Sequence, residues 1–123
     1  MTLLRVSVRC YNMRRMNVEL EPEVTSWYLG LDHNDMDVAA VHVELLSEYG
    51  HLLRMPHSRP LGNGLFELRF NMGRQAWRIT YWYRRDGVIV LLTVFRKQRN
   101  NERVEVRRAL TTLDRCRKLH QQK

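Results

Sequence analysis

Two arginines, Arg69 and Arg78, are the residues of this sequence whose spacing best predicts chemistry. They lie in the segment ELRFNMGRQAWRITYWY, residues 67–83. If Gly73 and Arg74 form a two-residue turn, strand alternation places the two arginines directly opposite each other on one face of a hairpin. Like charges about 5 Å apart repel by roughly 1 to 3 kcal/mol, and a phosphate between them removes that cost. The spacing therefore predicts an anion site.

A second register of the same hairpin, with a four-residue turn, pairs Glu67 with Arg78 and leaves Arg69 diagonal to it. In that arrangement Glu67 neutralises Arg78, and the arginines serve only to keep the sheet surface polar. The residues alone leave both interpretations open.

The next hairpin extends the basic group. Asp86 and Gly87 are a strong turn signal, and the strands that they join place Phe95 across from Arg78, with Lys97 on the same side. The aromatic ring of Phe95 could stack on a nucleic-acid base. The predicted register pairs Tyr83 with Val90, Tyr81 with Leu92, and Ile79 with Val94.

Helical elements precede these strands. A short strand is predicted at residues 16–20, and Pro22 suits the first position of a helix. Asp32 or Asn34 can cap a second helix, which ends near Gly50. Its predicted apolar stripe is Val38, Val41, Leu45, Leu46 and Tyr49.

The segments that follow differ in type. Residues 51–64 are predicted to be a loop because of their Pro and Gly content. Asn100 or Asn101 can cap a last, basic helix, whose inward side is predicted to be Val106, Ala109, Leu110 and Leu113. The pattern predicts an α+β fold in which two N-terminal helices pack on a mostly antiparallel sheet and a basic helix follows.

The charge is unevenly distributed over the 123 residues. Residues 16–50 contain eight acidic residues and no Lys or Arg, whereas residues 51–123 carry 17 Lys and Arg against five acidic residues. Such a basic part indicates an anionic partner, most commonly a nucleic acid. Of the 21 basic residues 18 are Arg, a composition that suits phosphate contacts and that a GC-rich genome would also produce.

Other features limit the class of protein. Cys10 and Cys116 lie far apart without the paired spacing of a zinc site, and there is no glycine-rich nucleotide loop, so we expect no metal and no cofactor. No apolar run reaches the roughly 18 residues of a membrane span, and residues 1–15 lack the features of an export signal. We expect a soluble, cytoplasmic protein without a membrane partner, with an N-terminal extension at residues 1–15 and one domain at residues 16–123.

Three motifs in order carry a resemblance to a known family. They are GLFELRF, WRITYWY and IVLLTVFRKQRNNE, followed by the basic helix. Over roughly residues 16–115 the chain resembles the HigB-type branch of the RelE/ParE toxin superfamily, including its phage-related members. The resemblance implies a small RelE-like fold and a ribosome-dependent endoribonuclease that cuts mRNA without a metal. It also implies a cognate antitoxin, often a helix-turn-helix DNA-binding protein, that holds the toxin inactive.

The resemblance also implies roles for individual residues. Arg78 matches the arginine that contacts the scissile phosphate, and PHSRPLGNG resembles a loop that holds a functional histidine in some members, which makes His57 a candidate. Arg78, Lys97, Arg69 and His57 are thus the candidate catalytic residues, with Lys97 or His57 as the proton-transfer group. The candidate RNA-binding residues are Arg59, Trp82, Phe95, Arg96, Arg99 and Arg107.

Two other functions fit the sequence. One is a ParE-like toxin of the same fold that inhibits gyrase and cleaves nothing, and the other is a non-toxic basic RNA-binding module. The Arg69, Arg78 and Lys97 cluster favours RNA cleavage over gyrase inhibition, and the non-toxic module predicts no growth arrest on expression.

Overall fold

The computed structural model describes residues 15–121, so most of the predicted N-terminal extension, residues 1–14, lies outside the described residues. The described part forms a five-stranded sheet with α-helices on both faces. In chain order the elements are β1 (Val18–Leu20), α1 (Pro22–Leu29), α2 (His33–Tyr49), a 3-10 helix (Gly50–Leu52), β2 (Ser58–Gly62), β3 (Leu65–Met72), β4 (Gln75–Tyr83), β5 (Ile89–Arg96) and α3 (Glu102–Gln121).

The strand order across the sheet is β1-β5-β4-β3-β2. β1 runs parallel to β5, and the other neighbours are antiparallel. The predicted α+β fold with a mostly antiparallel sheet is therefore confirmed.

Each face of the sheet has its own apolar cluster. α1 and α2 pack on one face, where the large buried side chains include Leu46, Leu68, Ile79 and Tyr81. α3 packs on part of the other face through Ala109 and Leu113, as the sequence predicted. Because α3 covers only one end of that second face, the other end is left for polar side chains.

The β3–β4 hairpin has the first of the two registers that the sequence allowed, and the register with a four-residue turn is wrong. Gly73 and Arg74 both adopt a positive φ, 59° and 65°, as a two-residue type I′ turn requires. Arg69 therefore lies directly opposite Arg78.

The predicted register of the β4–β5 hairpin is right at one end and wrong at the other. Ile79 pairs with Val94 and Arg78 with Phe95, but Tyr81 pairs with Leu91 and Tyr83 with Ile89. The register shifts beside Thr80, whose hydroxyl bonds that of Thr93 at 2.6 Å. Such a bulge inserts one residue into β5, and plain alternation cannot anticipate it.

Two further predictions are wrong in detail. Residues 51–64 are not only a loop, since β2 lies within them as an edge strand, where Pro60 is tolerated. The stripe predicted for α2 is also misplaced, because Val41 and Tyr49 are largely exposed. The buried side of α2 is formed by Ala39, Val43, Leu46 and Ser47, two of which are small residues that allow close approach to neighbouring chain segments.

The first residues of α1 and α2 are those that the sequence signals predicted. Pro22 stands at the first turn of α1. The carboxylate of Asp32 accepts a hydrogen bond from the Asp35 amide at 2.8 Å, which caps α2.

Candidate functional site

Arg69 and Arg78 lie on the face of the sheet that α3 covers in part. Strand alternation places their side chains on the same side as Glu67, and Arg59 of β2 joins them because it pairs with Glu67. The Arg78 side chain is largely buried, at 7% exposure of the residue, and its Nη1 donates to the Trp77 carbonyl at 3.0 Å. The arginine pair predicted from spacing is thus present, but it is partly enclosed.

Glu67 is at the centre of this group, and its side chain is fully buried. Its Oε2 atom is 2.8 Å from Arg69 Nη1, 3.4 Å from Arg59 Nε and 3.8 Å from Arg78 Nε. Within residues 15–121, Glu67 Oε1 and Arg78 Nε have no hydrogen-bond partner. One carboxylate therefore contacts three guanidinium groups, and one of its two oxygens is without a hydrogen bond within the described residues.

The first turn of α3 closes the group from the other side. Glu102 Oε2 accepts a bond from Arg59 Nη2 at 2.6 Å, and Glu102 Oε1 is 3.8 Å from Lys97 Nζ. We call Arg59, Arg69, Arg78 and Lys97 the basic cluster. Its four positive charges exceed the two negative charges of Glu67 and Glu102, so a net charge of +2 remains for an anion.

The surroundings shift two ionisation equilibria in the site. Burial, followed by the positive charge of Arg69, lowers the pKa of Arg78, although an arginine side chain stays protonated at neutral pH. Burial alone would raise the pKa of Glu102, but the hydrogen bond and charge of Arg59 outweigh it and lower that pKa. Arg78 and Glu102 are therefore both charged at neutral pH.

A surface cleft of about 260 Å³ connects the arginines to the loop before β2. Arg69, Arg78 and the exposed His57 line it together. The loop is held there by a backbone hydrogen bond of 2.8 Å from the Arg69 amide to the His57 carbonyl. The remaining lining residues are His42, Pro56, Phe70 and Asn71.

The aromatic candidates lie elsewhere or are covered. Phe95 is opposite Arg78, but it is only 4% exposed, so little of its ring is free for a base to stack on. Trp82 lies at the far end of the same face, in the cluster beneath α3, with the Arg117 guanidinium 5.8 Å from its ring centre. Neither ring stands open beside the basic cluster.

The remaining basic candidates are exposed. Arg96 ends β5, Arg99 lies in the turn after it, and Arg107 lies on α3. None of the three forms an ion pair with Glu67 or Glu102 among the described residues. Arg96 pairs with Trp77, whose ring packs on the α1 and α2 side, so Arg96 lies on the face opposite the basic cluster.

Within residues 15–121 no three His, Cys, Asp or Glu side chains are grouped as a metal site would need. None of the helices in this range combines the length and apolar composition that crossing a bilayer requires.

The sequence matches a known protein family. The model of the phage-derived Gp49-like protein family, DUF891, matches residues 26–116. The chain belongs to this family. No curated protein matches the chain.

Solved structures similar to this Gp49-like chain include a toxin and a chain of a toxin–antitoxin complex. A free double mutant of the Escherichia coli toxin RelE shares 10% identity at a TM-score of 0.57, and the match covers 82% of this chain and 97% of the RelE chain. A chain of the Mycobacterium tuberculosis RelBE2 toxin–antitoxin complex shares 18% identity at a TM-score of 0.49, over 68% of this chain and 99% of that chain. The RelE match confirms the predicted RelE-like fold, and membership of the Gp49-like family confirms the predicted place in the RelE/ParE superfamily.

One part of the site was not predicted. The sequence identified Glu67 as a neutraliser of Arg78, but not as a shared partner of Arg59 and Arg69. The signal was present in the strand pattern, because Glu67 and Arg69 are two residues apart and so lie on one face of β3. The role of Glu102 depends on how α3 packs, which the local sequence does not specify.

Proposed function

We propose that this protein is the toxin of a type II toxin–antitoxin system and acts as a ribosome-dependent mRNA endoribonuclease. The observation that carries the proposal is the basic cluster, in which Arg69 opposes Arg78 beside a cleft that also holds His57. Two guanidiniums on neighbouring strands, with an excess of positive charge, suit a phosphodiester.

The reaction that such a site supports is attack of a ribose 2′-hydroxyl on its own 3′-phosphate. The 2′-oxygen forms a bond to phosphorus, the bond to the 5′-oxygen breaks, and a 2′,3′-cyclic phosphate and a 5′-hydroxyl result. Arg69 and Arg78 stabilise the charge that develops on the phosphate oxygens. This chemistry needs no metal.

Proton transfer requires a base for the 2′-hydroxyl and an acid for the leaving oxygen. His57 lines the cleft and is exposed, so it is well placed for one of these roles. Lys97 contacts Glu102 on the other side of the basic cluster and is the second candidate.

Dependence on the ribosome follows from what this chain offers. The candidates for acid and base lie on opposite sides of the arginines. Among the described residues His57 has no side-chain hydrogen bond, and Lys97 is 3.8 Å from Glu102, which is too far for a hydrogen bond that would orient it. Bending of the mRNA on the ribosome would supply the attack geometry that the enzyme does not impose. The exposed Arg96, Arg99 and Arg107 then contact RNA backbone, as Arg59 does at the edge of the cluster.

A cognate antitoxin completes the proposal. A protein with a surplus of positive charge around a phosphate site requires control in the cell, and a small helix-turn-helix DNA-binding protein encoded beside it is the partner that we propose.

Regulated expression in bacteria tests this function. We expect growth arrest with rapid loss of intact mRNA and unchanged plasmid supercoiling, and rescue by the neighbouring gene product. Growth arrest with altered supercoiling and intact mRNA would indicate a gyrase inhibitor instead. Harmless accumulation of the chain would contradict any toxin role and favour a basic RNA-binding module.

A further inference from the structure

The buried carboxylate of Glu67 is the part of the site that the proposed chemistry does not use. It lies among three guanidiniums with no exposed side-chain surface, and one of its oxygens has no hydrogen-bond partner. Removing a carboxylate from water is costly unless its contacts compensate for the lost hydration. A site selected only for tight phosphate binding would not place a negative charge there.

The contacts of Glu67 indicate that its negative charge orders the arginine side chains around it. A single oxygen, Oε2, lies 2.8 Å from Arg69 and 3.4 Å from Arg59. The same atom is 3.8 Å from Arg78. Free arginine side chains have many rotamers, and ordering them at the moment of binding costs free energy. A shared buried acceptor orders them before the ligand arrives.

Glu102 does not provide the same anchor. Its side chain is 35% exposed and contacts Arg59 and Lys97 from α3, whereas Glu67 is within β3 itself. Glu67 thus lies on the same strand as Arg69, β3. The neighbouring strand, β4, carries Arg78.

We propose that Glu67 is a positioning residue and an internal counter-ion of the phosphate site. It orients Arg59, Arg69 and Arg78 and at the same time weakens their attraction for a resting phosphodiester. The inference rests on the proposed function in taking RNA phosphate as the ligand.

The ordering of the arginines by Glu67 also prepares the site for the transition state. The phosphodiester carries one negative charge, and further negative charge develops as the 2′-oxygen attacks. Guanidiniums that are held in place but partly neutralised bind the diester weakly and still meet the additional charge without reorganising.

The test uses the purified full chain, inorganic phosphate as the probe and the variant Glu67→Gln, which keeps the side-chain shape and removes the charge. Melting temperatures are measured in sodium chloride and in sodium phosphate of equal ionic strength. We expect Glu67→Gln to melt below the wild type in chloride, because three guanidiniums lose their counter-charge. Phosphate should raise its melting temperature more than that of the wild type, with an apparent affinity at least about fivefold tighter, as loss of one repulsive charge contact implies.

Glu105→Gln is the matched control. Glu105 also pairs with an arginine, Arg108, at 2.9 Å, but on α3 and outside the basic cluster. Its phosphate response should equal that of the wild type.

Either of two results would overturn the inference. One is a phosphate response of Glu67→Gln equal to that of the wild type, and the other is a variant unfolded in both salts, which would make Glu67 a purely structural residue. Since no ribosome or RNA is used, the inference and the proposed function can fail separately. A wild type that leaves translated mRNA intact refutes the nuclease and leaves the phosphate comparison valid.

Discussion

At the scale of single residues, Arg69 and Arg78 differ in what they contribute to stability. Arg69 makes the shortest contact to the buried Glu67 carboxylate, 2.8 Å, whereas Arg78 Nε is 3.8 Å away and lacks a hydrogen-bond partner. Replacing Arg69 with Ala should lower the free energy of unfolding by about 2 to 3 kcal/mol, because it removes the main partner of a buried charge.

Arg78→Ala should cost less, about 1 kcal/mol or under, because the loss of a distant contact is offset by relief of the repulsion from Arg69. Denaturant unfolding of both variants measures this difference. If Arg78→Ala is the more destabilised of the two, Arg78 has a mainly structural role and the assignment of the phosphate contact to it loses its basis.

Some contacts between individual residues could be predicted from the sequence, and others could not. The opposition of Arg69 and Arg78, and of Arg78 and Phe95, followed from turn signals and alternation, which are local. The alternative register, which pairs Glu67 with Arg78, is wrong, because Glu67 pairs with Thr80. Glu67 nevertheless contacts Arg78, at 3.8 Å, as a diagonal neighbour on the same face. The covering of Phe95 and the contacts of Glu102 depend on long-range packing and were not predictable.

At the scale of elements, the β4–β5 hairpin carries an ion-pair network that predicts a pH dependence. Arg84 binds both carboxylate oxygens of Asp86, with Nε–Oδ1 at 2.8 Å and Nη2–Oδ2 at 2.9 Å. It also reaches Glu19 of β1 at 2.8 Å. The hydrogen bond from Arg84 lowers the pKa of Asp86 from 3.8 to about 2.

A depressed carboxylate pKa stabilises the fold above the unfolded-state value, and the contribution disappears as pH falls through the folded-state value. Asp86→Asn should therefore melt below the wild type at neutral pH, and the difference should vanish between about pH 4 and pH 2. Thermal melts across this range measure it. Asp114→Asn, which loses a single exposed contact to Lys118 of 3.2 Å, is the control, and a difference for Asp86→Asn that persists at pH 2 would refute the ion-pair explanation.

The elements themselves were predicted where one signal dominated. Pro22, the Asp32 cap and the turn at Gly73 each fixed a boundary or a register. β2 was missed because Pro60 and Gly62 indicate a loop, and only the sheet edge makes them acceptable in a strand. The bulge beside Thr80 inserts one residue into β5, and the alternation of side chains along a single strand does not reveal such an insertion.

At the scale of the whole molecule, charge is segregated along the chain. The acidic residues 16–50 form β1, α1 and α2, whereas the basic surplus lies in the segments that build the cluster and α3. α1 and α2 pack on one face of the sheet and α3 packs on the other, so the basic cluster and the basic helix lie on the same face.

This polarity predicts steep salt dependence of ribosome association, since each phosphate contact releases counterions. Arg107→Ala, an exposed substitution on α3, should reduce the slope of log affinity against log salt by about one and leave the unfolding free energy within about 0.5 kcal/mol. Binding titrations at several salt concentrations test this. An affinity that does not change with salt would contradict electrostatic docking.

We propose that the Arg69–Arg78 pair makes this protein a nuclease of translated mRNA. The most direct measurement is mapping of RNA ends after purified wild-type protein and Arg78→Ala are each added to one mRNA, free or engaged by translating ribosomes. We expect new 5′-hydroxyl ends only for wild-type protein with ribosome-bound mRNA, and none for Arg78→Ala. Equal cleavage of free and ribosome-bound mRNA, or equal cleavage by Arg78→Ala, would contradict it.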